Sequence, residues 1–119
     1  MTPAARVQAA IEVLDIILDG AAAEQALSRW ARGHRFAGSK DRAALRDLVF
    51  DALRRRASYA ARGGGLSGRG LMIGQTLCEG ADIDAVFAGQ GYGPAPLSAS
   101  EHAAVASPKD LSPADACDM

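Results

Sequence analysis

Aromatic residues, cysteine and histidine are scarce in this chain of 119 residues, and each shortage excludes a class of protein. Only 5% of the residues are aromatic, so small aliphatic residues must fill much of any core. Two cysteines, Cys78 and Cys117, are too few for a disulfide scaffold, and two histidines provide no zinc-binding spacing. We therefore expect one intracellular, cytoplasmic domain that holds no metal.

Long apolar segments are also absent. No run approaches the roughly 18 residues that a membrane-spanning helix needs. Glu12 and Asp15 interrupt the apolar pattern near the N-terminus, which is therefore unlike a secretory signal peptide. Apolar residues nevertheless make up 49% of the chain, enough to bury a core. The sequence indicates a globular protein without a membrane partner.

Apolar residues recur at helical spacing through most of the chain, and no alternating strand pattern occurs. Thr2 and Gly20 delimit the first helix, Ser39 is the predicted cap of the longest helix, and Ser98 with Glu101 matches a capping box. The sequence predicts an all-α, compact helical bundle. Its helices are expected over residues 3–19, 22–32, 41–62 with an allowed break, 71–79, a brief turn 82–87, and 102–106.

Five glycines between residues 63 and 70 favour an exposed, flexible turn between helices. Gly63, Gly65 and Gly68 match the dinucleotide-binding pattern G-x-G-x-x-G, but that motif works only between a strand and a helix. A P-loop is excluded because Arg69 and Gly70 stand where Lys and Ser or Thr are required. We therefore assign no nucleotide site to these glycines.

Positive charge is concentrated in the first part of the chain. Residues 1–70 carry twelve Lys and Arg against seven Asp and Glu, a net charge of +5, and residues 71–119 carry a net charge of −6. Within 29–69 there are eleven bases and three acids, and ten of the bases are arginine, whose planar fork suits bidentate phosphate contacts. The pattern favours an anionic partner, although a solvated basic face and an Asp51–Arg55 intrahelical pair explain part of it.

The chain contains no recognisable catalytic constellation. Trp30, Phe36 and Phe50 are expected to pack in the core, with a place for Phe36 in a binding loop as the alternative. We expect His34 to be a solvated loop residue, because no acid or nucleophile accompanies it in the sequence. Cys78 is interpreted as a small core residue. No catalytic residue and no metal ligand is assigned.

Several segments together resemble a known family. They are the run Arg6 to Leu14, the pair Ala26-Leu27, the run Asp41 to Phe50, and Leu53-Arg54-Arg55-Arg56. These segments resemble the NusB-like domain, and more narrowly the N-terminal domain of the Sun/Fmu (RsmB) family of ribosomal RNA cytosine-C5 methyltransferases. The similarity extends over about residues 3–106, and it is most specific between Asp41 and Arg56.

The resemblance implies a helical bundle that binds RNA or joins an RNA–protein assembly. In NusB-like proteins the basic N-terminal helix contributes to the RNA contact, and only Arg6 matches that feature here. In the methyltransferases, a C-terminal Rossmann-like domain binds S-adenosylmethionine and carries the catalytic cysteines, so we expect no cofactor in this chain. Residues 1–106 are then the NusB-like domain, and residues 107–119 are a linker or disordered tail toward a catalytic domain.

Our leading hypothesis is an RNA-binding accessory domain of a 16S rRNA (cytosine-C5) methyltransferase, which is not catalytic alone but positions ribosomal RNA through phosphate contacts. A stand-alone NusB-type antitermination factor and a protein–protein interaction module are the alternatives. The oligomeric state and the RNA site are not specified by the sequence. The candidate RNA-binding residues are Arg42, Arg46, Arg54, Arg56, Arg62 and Arg69, followed by Arg6, Arg29, Arg32 and Arg35.

Overall fold

The computed structural model describes residues 1–105, whose helices pack into the all-α bundle that the sequence predicts. No described residue belongs to a strand, and the proposed linker at 107–119 lies outside the described residues. The helices of the described range are α1 (Pro3–Leu18), α2 (Ala23–Gly33), α3 (Ser39–Arg54), α4 (Arg56–Gly63), α5 (Gly68–Cys78), α6 (Ile83–Val86) and α7 (Ala99–Val105).

The first helix begins and ends where the sequence predicts. Thr2 Oγ1 accepts a hydrogen bond from the Ala5 N–H at 3.1 Å, and Pro3 occupies the first helical position, where its missing N–H costs nothing. After the helix, Gly20 adopts a φ of +123°, which favours glycine. The helix contacts α2, α3 and α5, and it buries Ala5, Ala9, Ala10, Ile11, Val13 and Leu14.

The central helix of the bundle is α5. Its residues from Leu71 to Thr76 are all buried, and α1, α3, α4 and α6 contact it. A helix covered by neighbours on all sides is mostly apolar, and the buried polar side chains of α5, Gln75 and Thr76, are hydrogen-bonded. Small side chains fill much of the surrounding core, as the composition predicts, and the buried alanines are Ala5, Ala9, Ala10, Ala26, Ala37 and Ala52. Within residues 1–105, no helix has the length and apolarity required to cross a membrane.

The break that the sequence allows within the helical pattern over 41–62 is present, and it separates two helices at Arg55. This residue has a φ of −111° and a ψ of 30°, so α3 ends before it and α4 begins after it. Because of this break, Arg56 does not continue the apolar stripe of α3, and it is exposed. The prediction of Ser39 as a cap is wrong. Ser39 is the first helical residue, and Asp41 Oδ2 accepts from the Gly38 N–H at 3.2 Å.

The glycine-rich segment does contain the expected exposed turn between helices, at residues 64–67, but the glycines on either side of it form a close contact between α4 and α5 that we did not expect. A Cβ on Gly63 would lie 1.8 Å from the carbonyl oxygen of Gly70, and a Cβ on Gly74 would lie 2.1 Å from that of Tyr59. Gly63 and Gly70 are buried. At Gly63 and Gly74, glycine is therefore required because two backbones approach closely. At Gly64, glycine is favoured for a different reason, the φ of +92° in the turn that ends α4.

The carboxylate of Asp51 joins α3 to α4 and α5. It accepts hydrogen bonds from the Tyr59 hydroxyl at 2.7 Å and from Gln75 Nε2 at 3.0 Å. It also lies 3.6 Å from Arg55 Nε, which confirms the ion pair that the spacing predicts, with Arg55 at the break that follows α3. Tyr59 and Gln75 are buried, and burial, with the hydrogen bond to Asp51, raises the pKa of the Tyr59 hydroxyl. One carboxylate thus satisfies polar side chains buried in two other helices.

Side-chain caps set the starts of the later helices. Ser67 Oγ accepts from the N–H of Gly70 at 3.0 Å, and α5 therefore begins earlier than predicted. The predicted capping box before α7 is confirmed, because the Ser98 N–H donates to Glu101 Oε1 at 2.8 Å and the Glu101 N–H donates to Ser98 Oγ at 3.1 Å. Asp82 accepts a hydrogen bond at the start of α6, as expected.

From the α4–α5 contact we predict that replacing a helical glycine by alanine lowers stability, the reverse of what helix propensity alone predicts. Alanine at an interior helix position ordinarily stabilises a protein by roughly 0.8–1.0 kcal/mol relative to glycine. For Gly74→Ala we expect instead a loss of at least about 2 kcal/mol in the free energy of unfolding, because the new Cβ collides with backbone atoms that cannot rotate away. Urea denaturation followed by far-UV circular dichroism measures the difference.

Gly33→Ala is the matched control. Gly33 also lies in a helix, and a Cβ there would meet nothing within 4 Å. We expect this variant to be as stable as the wild type or slightly more stable. Equal stability of the Gly33→Ala and Gly74→Ala variants would contradict the close backbone contact.

Candidate functional site

Three candidate arginines converge on the exposed side of α2. Arg29 and Arg32 lie one turn apart on this helix and line an open depression that also contains Glu24. Arg46 reaches across from α3 and donates two hydrogen bonds to the Glu24 carboxylate, of which the Nη1–Oε1 bond measures 2.8 Å. These hydrogen bonds lower the pKa of Glu24. We call this group of three guanidinium groups and one carboxylate the Glu24 cluster.

Two members of the Glu24 cluster are available to a ligand. Arg29 and Arg32 are exposed and form no hydrogen bond or ion pair with any residue in 1–105. The same is true of Arg35, just beyond α2, and of Lys40 in the first turn of α3. A guanidinium group without an internal partner keeps its donors for solvent or a phosphate. The end of α2 also attracts cations through its dipole, which alone accounts for some of this charge.

Arg6 and Arg42 are engaged within the fold. Arg6 Nη2 donates to Asp41 Oδ1 at 2.8 Å, which joins α1 to α3 and lowers the pKa of Asp41. The terminal amine of Met1 lies 3.5 Å from the same oxygen. Arg42 Nη1 donates to the carbonyl oxygen of Ala37 at 2.8 Å. The structure therefore gives both guanidinium groups a role in holding helices and loops together.

Arg54 and Arg56 flank the break between α3 and α4. Arg54 Nη2 lies 3.3 Å from Asp51 Oδ1, although 69% of the Arg54 side chain is exposed. Arg56 is exposed and has no hydrogen bond or ion pair among the described residues. At a rise of 1.5 Å per residue, Arg54 stands about 12 Å along α3 from Arg46. These two arginines form a second basic area, separate from the Glu24 cluster.

Arg62 and Arg69 hold the segment that ends in α7. Arg69 Nε donates to Glu101 Oε2 at 2.6 Å, and its Nη2 donates to the carbonyl oxygens of Ala95 and Pro96 at 2.9 and 3.0 Å. Arg62 Nη1 donates to a carbonyl oxygen of the same segment, that of Val105, at 2.9 Å. The sequence-predicted arginines thus divide into the Glu24 cluster, the α3–α4 area, and guanidinium groups committed to the fold, with the unpaired Arg35 standing apart from all three.

Sequence reasoning did not find a large groove among the described residues. This groove has a volume of about 1130 Å³ and lies between α1, the end of α2 and the loop around Tyr92. His34 and Trp30 line it, with their rings stacked at 4.2 Å and an interplanar angle of 7°. His34 is therefore half-buried against an indole, whereas we expected a solvated loop residue. Trp30 is buried, as predicted.

The prediction that Phe36 packs in the core is wrong. Its side chain is 74% exposed and lines the groove, and Phe50 is only half-buried beneath the Arg46 guanidinium at 4.9 Å. The helix-ending Gly33 and the charged neighbour Arg35 are the sequence signal for a loop position of Phe36. Tyr92 is 86% exposed and also lines the groove, and the sequence analysis assigned it no role.

Within residues 1–105, no three His, Cys, Asp or Glu side chains are grouped so that they could hold a metal ion. Comparison of the chain with known protein families, curated proteins and solved structures finds no match. The resemblance to the NusB-like domain consequently rests on the sequence segments that carry it.

The Arg69–Glu101 pair predicts a loss of stability in acid. The hydrogen bonds from Arg69 lower the pKa of Glu101 from 4.5 to about 2. The folded state therefore binds a proton at this site less readily than the unfolded chain. The stabilisation is fully present above a pH of about 4.5 and disappears as the pH falls toward 2.

Thermal denaturation between pH 5 and pH 2 measures this effect. Glu101→Gln removes the titrating group, so the midpoint temperature should fall less steeply with acid than that of the wild type. Glu79→Gln is the control, because burial raises the pKa of Glu79 and gives the opposite sign of pH dependence. If the midpoint temperatures of the wild type and Glu101→Gln fell in parallel with pH, the Arg69–Glu101 pair would contribute nothing to the pH dependence of stability.

Proposed function

We propose that this chain is an RNA-binding accessory domain of a 16S rRNA (cytosine-C5) methyltransferase, and that the Glu24 cluster contacts the phosphate backbone. The domain itself carries out no methyl transfer. It holds the RNA so that a separate catalytic domain, which binds S-adenosylmethionine, reaches its target base. Contacts of this kind fix the position of the RNA without selecting its sequence.

The convergence of Arg29, Arg32 and Arg46 around one carboxylate supports phosphate binding most directly. Arg46 is paired with Glu24 and also lies in the field of Asp47, whereas Arg29 and Arg32 have no described ion partner and supply the positive charge that the described fold does not neutralise. Arg35 and Lys40, which are also unpaired, extend the excess beyond α2. Arginine is suited to this role because its donors form bidentate pairs with phosphate oxygens. Arg54 and Arg56 provide a second phosphate contact in the proposal.

Substitution of the two unpaired arginines tests the phosphate contact. For Arg29→Gln with Arg32→Gln, we expect affinity for a short ribosomal RNA hairpin to fall roughly tenfold at moderate salt, because two phosphate contacts are lost. The slope of log affinity against log salt should become shallower by roughly 0.7–0.9 per lost contact. Gel-shift titrations over a range of salt concentrations measure both quantities.

Glu24→Gln provides a test of opposite sign at the same place. The carboxylate holds Arg46, so its removal frees that guanidinium group and should tighten RNA binding. Glu79→Gln changes the net charge by the same amount, and Glu79 lies at the end of α5, away from the described partners of Arg46. Equal affinities of these two variants would contradict a specific role for the Glu24 cluster, as would wild-type binding that is independent of salt.

The assignment to a methyltransferase is supported by the resemblance of the segment from Asp41 to Arg56 to the Sun/Fmu family. It predicts that a methylated cytosine in 16S rRNA depends on this protein. Deletion of the gene that encodes this chain should remove a 5-methylcytosine from 16S rRNA. Bisulfite sequencing of the rRNA from wild-type and deletion strains detects the loss. An unchanged pattern, together with altered transcription through terminators, would instead favour the antitermination factor.

A further inference from the structure

The large apolar side chains that remain exposed are concentrated at one groove. Residues 1–105 expose four of them, Met1, Phe36, Leu66 and Tyr92, and all except Leu66 line the groove between α1, the end of α2 and the loop around Tyr92. Single exposed apolar residues are common on proteins, but a group of them around one concavity indicates a binding surface.

The exposed ring of Phe36 rests on a fixed aromatic support. The buried Trp30 indole stacks on His34, and Phe36 meets His34 edge-on at a centroid distance of 5.8 Å and an angle of 66°. His34 Nδ1 lies 2.8 Å from the carbonyl oxygen of Trp30, which fixes the imidazole in this position. The three rings thus contact one another in order from the buried Trp30 to the exposed Phe36. Phe36 is therefore preorganised to stack with a flat ligand.

The charges around the groove indicate which part of a ligand can lie inside it and which part must lie outside. Glu12 and Asp15 line the groove and repel phosphate, and Asp15 Oδ1 already accepts from the Gly68 N–H at 2.8 Å. Arg69 also lines the groove, but its guanidinium group is committed to Glu101 and to two carbonyl oxygens. Arg35 is not part of the lining; it lies between His34 and Phe36 in the sequence and has no partner among the described residues. A ligand with neutral flat groups in the groove and phosphates beside Arg35 satisfies both features.

We propose that the groove binds the bases of a single-stranded RNA segment, which stack on Phe36 and Tyr92 while Arg35 contacts an adjacent phosphate. This inference rests on the RNA binding proposed above, and it specifies the form of RNA that is bound. Bases inside an A-form duplex cannot reach the two rings, so the RNA is unpaired where it enters the groove. Exposed rings beside unpaired cations are the arrangement that single-stranded nucleic acids require.

The test removes the flat rings and keeps the apolar surface. For Phe36→Leu with Tyr92→Leu, we expect affinity for a labelled, non-self-complementary oligoribonucleotide to fall roughly tenfold or more, since each stacked base is lost. The slope of log affinity against log salt should stay that of the wild type, because no charge is removed. Fluorescence anisotropy at several salt concentrations measures both.

Leu66→Ala is the matched control, because Leu66 is the exposed large apolar residue that does not line the groove. Its affinity for the oligoribonucleotide should equal that of the wild type. A blunt RNA duplex without unpaired bases is the control ligand, and the leucine variant should bind it as the wild type does. The single tryptophan, Trp30, provides a direct signal, and its emission should change with the oligoribonucleotide but not with the duplex.

The outcomes distinguish this inference from the proposed function. If the wild type binds no RNA, both proposals are wrong. If the wild type binds with the expected salt dependence and the leucine variant binds equally well, the stacking inference is overturned, and the phosphate contact stands. Such a result would favour an apolar segment of a protein, instead of RNA bases, as the occupant of the groove. A selective loss on the oligoribonucleotide supports stacking.

Discussion

The contact between α4 and α5, in which no side chain separates the two backbones, determines how the other helices are placed. Gly63 and Gly70 bring backbone atoms of the two helices together, so neither helix can slide along the other without a collision. This approach puts Tyr59 and Gln75 within hydrogen-bond distance of Asp51 on α3. Packing of the central helix, and the polar network beside it, therefore both depend on the absence of Cβ atoms.

Local sequence rules predicted most of the helices, because their signals act over a few residues. Thr2 and the Ser98–Glu101 box cap the helices that they were expected to cap. The close contact at Gly63 and Gly70 was not predicted, because it depends on a second helix and not on a local signal. A glycine in a turn and a glycine in a helix contact have the same sequence, and only the partner helix distinguishes them. Ser39 failed as a cap because the Asp41 side chain binds the Gly38 N–H instead.

The candidate site was less predictable, because charge counts do not show which ions are already paired. The sequence excess of arginine is real, yet Glu24 binds Arg46 from a distant position in the chain, and Glu101 binds Arg69. No spacing rule connects such residues. Arg29 and Arg32, which have no described partner, were ranked below these two, although the unpaired Arg56 was ranked with them. The groove depends on three separate segments, and its exposed rings could be recognised only once those segments were placed together.

The attachment of α7 has a consequence for the surface that the molecule presents. None of the residues of α7 is buried, and Arg62 and Arg69 hold this end of the described chain through an ion pair and carbonyl oxygens. An element held mainly by polar contacts opens locally at a lower free energy than the apolar core, and salt weakens its ion pair. Each opening releases two guanidinium groups to solvent. The positive charge presented near Arg62 and Arg69 therefore depends on whether α7 is docked against them.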